Sequence, residues 1–242
     1  MPHSVALILA GGEGSRMNMS IPKQYVMVDG HTVLQHTMYA FQRHQLVNAI
    51  HVVASLQWQG SVAQMAKEAG ITKFGSCISA GSSGYQSLRN GIASLARHES
   101  DDTIVLVHDA VRPLVSQDII SRNIAVCLSK GNAITALPSQ ESFMVIDKDD
   151  WHHKDTPSGT ASQSFIPRES LLLAQTPQTF PLGELKAMMV QAEQRGITES
   201  QSLYTLANEL GHTPLFAAQG ETTNFKITYP QDILILQALL KT

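Results

Sequence analysis

Short apolar runs alternate along the first half of this chain with stretches whose apolar positions recur at helical spacing. Val5–Leu9, Ile50–Ser55, Phe74–Ser79, Thr103–His108 and Ala133–Leu137 read as strands. Thr103–His108 (TIVLVH) is apolar almost throughout, as a strand covered on both faces of a parallel sheet must be. Between them, Val33–His44 puts Val33, Leu34, Thr37/Met38 and Phe41 on one helical face, and Val62–Gly70, Tyr85–Arg97 and Ile119–Lys130 continue the helical pattern. Strand–helix alternation of this kind predicts an α/β fold: a mixed, mainly parallel sheet between two helical layers.

The pattern lapses after the fifth strand. Ser139–Gln163 is polar, includes HHKDTPSGTASQ and has no period, so over about residues 139–168 the chain reads as a loop, a protruding arm or a mobile segment. Regular patterning returns at Leu171–Ala174, followed by helices near Leu182–Arg195 and Ser202–Leu210, a strand at Leu215–Ala218 and a final helix from Pro230. No repeat and no linker divides the chain. It reads as a single domain, 1–242, with one excursion.

Composition narrows the functional class. The 242 residues are 43% hydrophobic and 15% charged with a formal net charge of −3, and no basic block invites nucleic acid. No apolar run is long enough to span a membrane, and MPHSVALILAGG has no basic region ahead of its apolar stretch. Two cysteines, Cys77 and Cys127, form no CxxC pair, which suggests a reducing, cytoplasmic setting without disulfides. The adjacent His152 and His153 lack a third ligand and read as solvated loop.

The chemistry starts at LILAGGEGSRMNMSIPKQYVMVDG. A glycine-rich turn after a strand exposes backbone N–H groups to an anion. The GxGxxG fingerprint fails, because Met17 stands near where the third glycine belongs, and no GxxxxGK[ST] is present. What remains is Gly11, Gly12 and Gly14 followed by Arg16 and Lys23, a phosphate cradle with two cations suited to a nucleoside triphosphate. On the loop alone, a tight turn with solvated cations is the competing reading. Neither a GxSxG elbow nor a Ser-His-Asp set is present to support hydrolysis.

Six motifs in order decide between these readings: LAGGEGSRM with PKQY, LQHTMYAF, SAGSSGYQSLRNG, VHDAVRP, AQTPQTF and NFKITYPQD. Together they resemble the sugar-phosphate nucleotidyltransferases, with their Rossmann-like (GT-A-like) fold. Among these the chain is most similar to the cytidylyltransferases of the 2-C-methyl-D-erythritol 4-phosphate type; the sister ribitol-5-phosphate enzymes share the skeleton. The resemblance implies transfer of CMP from CTP to 2-C-methyl-D-erythritol 4-phosphate with release of pyrophosphate, a step of non-mevalonate isoprenoid synthesis. A pentitol phosphate such as ribitol 5-phosphate, destined for a surface polysaccharide, is the alternative acceptor, and IPRESLLLAQTPQTF leans toward it. From other classes, a nucleotide-binding protein without turnover and a Rossmann oxidoreductase are the rivals, the second opposed by the missing glycine.

The same resemblance assigns roles. Arg16, Lys23, Arg168 and Lys226 become the catalytic cations that stabilise phosphate charge. Ala10, Gly11, Gly12 and Gly14, with Ala80, Gly81, Ser82 and Ser87, become the nucleotide site. Asp109, Arg112 and Ser142 become acceptor contacts, and Asp109 also becomes a ligand for Mg²⁺. His108 is read as structural. The arm implies a homodimer in which it completes the partner's site. Three departures stand out: Gly84 where relatives carry arginine, Gln140-Glu141-Ser142 in place of an Asp-Thr pair, and Thr198-Glu199 in place of Thr-Asp.

Overall fold

A computed structural model describes residues 3–12, 21–146, 162 and 164–241. Its core is a seven-stranded sheet in the order β11-β7-β10-β6-β1-β4-β5. The strands are β1 (Ser4–Leu9), β4 (Ala49–Ala54), β5 (Phe74–Ser79), β6 (Ile104–Asp109), β7 (Ala133–Pro138), β10 (Leu172–Pro181) and β11 (Ala217–Gln219). Four pairings are parallel, and only β10 runs against its neighbours β6 and β7.

Alternation along each strand sorts the core into two layers. From β1, Ala6 and Ile8 face a cluster built by helices α1 (Val33–Arg43), α2 (Gln59–Glu68) and α4 (Gln117–Lys130). Val5 and Leu7 face the opposite cluster, supplied by α3 (Gly84–Leu95), α5 (Leu182–Gln194) and α6 (Leu203–Leu210). That is the three-layer α/β arrangement which the hydrophobic pattern predicts. A third, smaller cluster places α7 (Pro230–Leu239) against Val26 and Val28, beside the short hairpin β2 (Met27–Val28) and β3 (His31–Thr32).

Local chemistry sets the boundaries. Thr32 and Gln35 form a reciprocal capping box that starts α1. Gly131, at φ +92°, closes α4 in a left-handed conformation that costs glycine nothing. The segment from Leu171 proves to be a ten-residue strand rather than a short one, with an irregularity between Ala174 and Gln178 where Pro177 sits. Proline cannot donate to a ladder and in sequence argues against a central strand; the irregular register is what accommodates it. The last strand begins two residues later than the pattern suggests, at Ala217. In the arm, β8 (Met144–Val145) and β9 (Ser164–Phe165) pair as a small antiparallel hairpin. No helix among the described residues is long and apolar enough to cross a membrane.

Candidate active site

Because β1, β4, β5 and β6 run parallel, the turns that follow them leave the sheet at one edge, where parallel α/β sheets hold ligands. The first turn continues β1 through Ala10, whose N–H donates to Val53 O at 2.7 Å. Its shape is fixed by a residue to which the sequence assigned no role. The Gln24 side-chain amide, buried to 3% exposure, donates to Ala10 O and to Gly12 O, each at 2.7 Å. Gln24 and Lys23 belong to a 3-10 turn, Lys23–Tyr25, and the Tyr25 ring stacks on Trp58 with centroids 4.1 Å apart. In Pro22-Lys23-Gln24 the lysine is half-buried at the rim while the glutamine clasps the turn. Gly14 and Arg16 lie outside the described residues.

The second turn touches the first. A Cβ on Gly11 would lie 2.6 Å from Ala80 Cβ and 3.0 Å from Ser87 Oγ, so only glycine lets the two turns meet. Gly81 is equally constrained, its would-be Cβ lying 2.3 Å from Gln86 Cβ. Ser87 is buried; its hydroxyl donates to Ser83 O at 2.8 Å and accepts from Gly81 N–H at 3.1 Å. The hydroxyl therefore sets the turn's shape first and has one lone pair left for anything else. Ser82 is exposed at the tip, and Ser83 caps α3 by accepting from Gln86 N–H at 3.2 Å. Gly84 opens that helix, with nothing within 4 Å of a Cβ there. Arg89, farther along the same helix, lies 3.7 Å from Glu193.

At the end of β6, Asp109 gathers two of the predicted cations. Arg112 Nε donates to its Oδ2 at 3.0 Å, and Lys226 Nζ lies 3.2 Å from the same oxygen. Burial by itself would raise the Asp109 carboxyl, but Lys226 and Arg112 outweigh it and bring the pKa down from 3.8 to about 2. The carboxylate is ionised at neutral pH, and two cations against one anion leave the trio with a net charge of +1. A phosphate-bearing ligand suits that surplus. Arg112 is anchored a second time, its Nη1 donating to Asn224 O at 2.8 Å. Asn224 in turn donates to Thr176 O at 2.8 Å, and Gln175 donates to Glu221 O at 3.0 Å, so QTPQ and NFKIT are one bonded unit. Gln178 from the same motif accepts from Tyr204 N–H at 2.8 Å and fixes the start of α6.

Arg168 and Ser142 are elsewhere. Both are exposed on the arm, where Arg168 Nη1 reaches Gln140 O at 3.4 Å. No contact among the described residues joins them to Asp109. Phe143, Met144, Phe165 and Ile166 are also exposed there, an apolar patch around the β8–β9 hairpin. His108, by contrast, is fully buried behind Asp109.

The donor set admits a divalent cation only in one way. No group of three His, Cys, Asp or Glu side chains among the described residues is placed to hold a metal. Asp109 Oδ2 is committed to two cations, so Oδ1 is the oxygen of that carboxylate left to a metal. That suits Mg²⁺, which completes its shell with phosphate oxygens and water.

The chain is similar to known proteins over nearly its whole length. The family model described as 2-C-methyl-D-erythritol 4-phosphate cytidylyltransferase matches residues 4–242. A ribitol-5-phosphate cytidylyltransferase of Lacticaseibacillus paracasei is 34% identical over 98% of this chain and 97% of its own. A 2-C-methyl-D-erythritol 4-phosphate cytidylyltransferase of Syntrophus aciditrophicus is 33% identical over 99% of this chain and 97% of its own. Among solved structures, the 4-diphosphocytidyl-2C-methyl-D-erythritol synthase of Anaerococcus prevotii superposes with a TM-score of 0.78 over 100% of this chain and 97% of its own, at 22% identity; it shares the fold.

Proposed function

The chain belongs to the 2-C-methyl-D-erythritol 4-phosphate cytidylyltransferase family and is a CTP-dependent nucleotidyltransferase, and from that premise we propose that its acceptor is ribitol 5-phosphate. The observation that carries the chemistry is the +1 trio of Asp109, Arg112 and Lys226, set at the same sheet edge as two touching glycine-rich turns. The turns cradle the nucleotide, and the trio receives a sugar-alcohol phosphate. The choice of ribitol rests on the stretch Ile166–Phe180 and on the name of the 34% relative. Methylerythritol phosphate is the second reading, favoured by the family model and the 33% relative.

In this reading an oxygen of the acceptor's phosphate attacks the α-phosphorus of CTP in line. The bond to the β-phosphate bridge oxygen breaks, and pyrophosphate leaves with the electron pair. Little covalent work falls to the protein, so position and charge dominate. Lys23 and Arg16 stabilise the triphosphate, while Lys226 and Arg168 hold the attacking phosphate. Arg112 shares that charge, and the Asp109 carboxylate accepts from an acceptor hydroxyl. Asp109 Oδ1 would be the protein ligand for a Mg²⁺, which would supply charge neutralisation at the phosphates. Arg168 reaches a reacting centre if the arm crosses to a second subunit, and the apolar patch on the β8–β9 hairpin supports such a homodimer.

Pyrophosphate release with CTP and Mg²⁺, run side by side with ribitol 5-phosphate and 2-C-methyl-D-erythritol 4-phosphate, tests the assignment. A preference for ribitol 5-phosphate is the expected result. Preference for the branched acceptor selects the second reading, and release with neither overturns both. Lys23→Ala should lower turnover about a hundredfold.

A further inference from the structure

The most deeply buried titratable group at the site has no part in the chemistry above. His108 is 0% exposed near the end of an otherwise apolar strand, where a polar ring is costly unless both nitrogens are bonded. Both are. Nε2 lies 3.1 Å from Arg112 O and Nδ1 lies 3.0 Å from Thr176 Oγ1, while the Phe41 ring meets the imidazole edge-on at 5.1 Å.

The protons on this chain can be assigned by elimination. A carbonyl only accepts, so Nε2 must carry the hydrogen that reaches Arg112 O. The neutral ring then has Nδ1 as an acceptor, which takes the Thr176 hydroxyl proton. Thr176 Oγ1 in turn accepts the Asp109 backbone N–H at 3.1 Å. The sequence of bonds runs from the main chain of Asp109, through Thr176 and His108, to the main chain of Arg112. The Arg112 N–H donates to Asp109 O at 3.2 Å and closes the circuit.

We propose that His108 is a positioning residue that, with Thr176, holds the Asp109–Arg112 turn in the register at which its carboxylate and guanidinium meet the acceptor. Both of the imidazole's bonds end on the backbone of the turn, one directly and one through a hydroxyl, so the ring acts as a strut between its two ends. The charged groups facing it are Asp109, Arg112 and Lys226. The neutral tautomer on which the strut depends is fixed by its two bonds, Nε2–H to Arg112 O and Nδ1 from the Thr176 hydroxyl. The inference rests on the proposed acceptor site, and its test separates the two.

The first arm needs no acceptor. Imidazole nitrogen-15 spectra of the protein at pH 7 should show His108 as the neutral Nε2–H tautomer. An Nδ1–H tautomer overturns the proposal even if the acceptor assignment stands. The second arm compares His108→Phe, His108→Gln, Thr176→Val and the double variant His108→Phe/Thr176→Val, using pyrophosphate release and calorimetric CTP binding. His108→Phe should raise the acceptor KM about tenfold or more and lower kcat, while CTP Kd changes less than about twofold. His108→Gln, whose amide can still donate to Arg112 O, should recover much of the loss. The double variant should be little worse than His108→Phe, since both break one chain of bonds. An unchanged acceptor KM, additive losses, or a proportional loss of CTP binding refutes the strut. Where His108→Phe does not fold, His108→Gln and the spectra still decide.

Discussion

Replacing Asp109 by asparagine separates the charge of this carboxylate from its shape. Its folded pKa of about 2 lies below the ordinary 3.8, so the ionised form is favoured by folding. A carboxylate of this kind contributes its full stability above about pH 4 and loses it as the pH falls through its folded value of about 2. The gap from 3.8 to about 2, allowing for a side chain that is 20% exposed, corresponds to roughly 2 kcal/mol. Near pH 3 roughly half of that remains. Urea unfolding of the wild type and Asp109→Asn at pH 7, 5 and 3 reads the difference directly. Asp109→Asn should be weaker by roughly 2 kcal/mol at pH 7, with the gap closing to about 1 kcal/mol at pH 3. A gap that is constant, or that widens on acidification, would show that the charge contributes nothing and that its pairing with Arg112 and Lys226 is incidental.

Three further outcomes follow from the turns. Gln24→Leu strips the donor from Ala10 O and Gly12 O; it should cost about 1–3 kcal/mol in chemical unfolding and raise the KM for CTP about tenfold. Gly11→Ala should lower stability by about 1–3 kcal/mol, because its Cβ would press on Ala80, whereas Gly12→Ala, with nothing within 4 Å, should change thermal unfolding by no more than about 0.5 kcal/mol. Gly84→Arg puts a side chain into open space at the first turn of α3; it should gain about 0.5 kcal/mol or more over glycine and tighten CTP binding by calorimetry, and a weaker Kd would refute the nucleotide role of that position.

The elements that bury a face declared themselves in the sequence. α1 and α4 were legible to within two residues because burial imposes their periodicity, and Phe74–Ser79 was legible to the residue although the strand is only partly buried. Helix starts shifted where a polar cap such as Ser83 or Ser116 takes the chain into the helix before the apolar stripe begins. β10 was hidden because Pro177 breaks its pattern and because direction within a sheet leaves no local trace. In the site, the charged residues were legible as chemistry: Asp109, Arg112 and Lys226 do converge. The residues that hold them were not. The side chains of Gln24, Thr176 and Asn224 act through hydrogen bonds with backbone groups 12 to 67 positions away, and no spacing rule announces such pairs.

The arm begins and ends at adjacent points of the sheet. Pro138, the last residue of β7, pairs with Leu172, the first of β10. Everything between them is an insertion in a hairpin whose mouth is already closed by the ladder. Doubling such a segment adds only about 0.6 kcal/mol of closure entropy, so its length and composition can drift with little effect on the fold. The two glycine-rich turns and the Asp109 cluster lie on other connections, so changes in the arm's length need not reach them. The fold has here a port at which what the arm carries, Gln140 to Ser142 and Arg168 included, can be exchanged while the Asp109 cluster stays as it is.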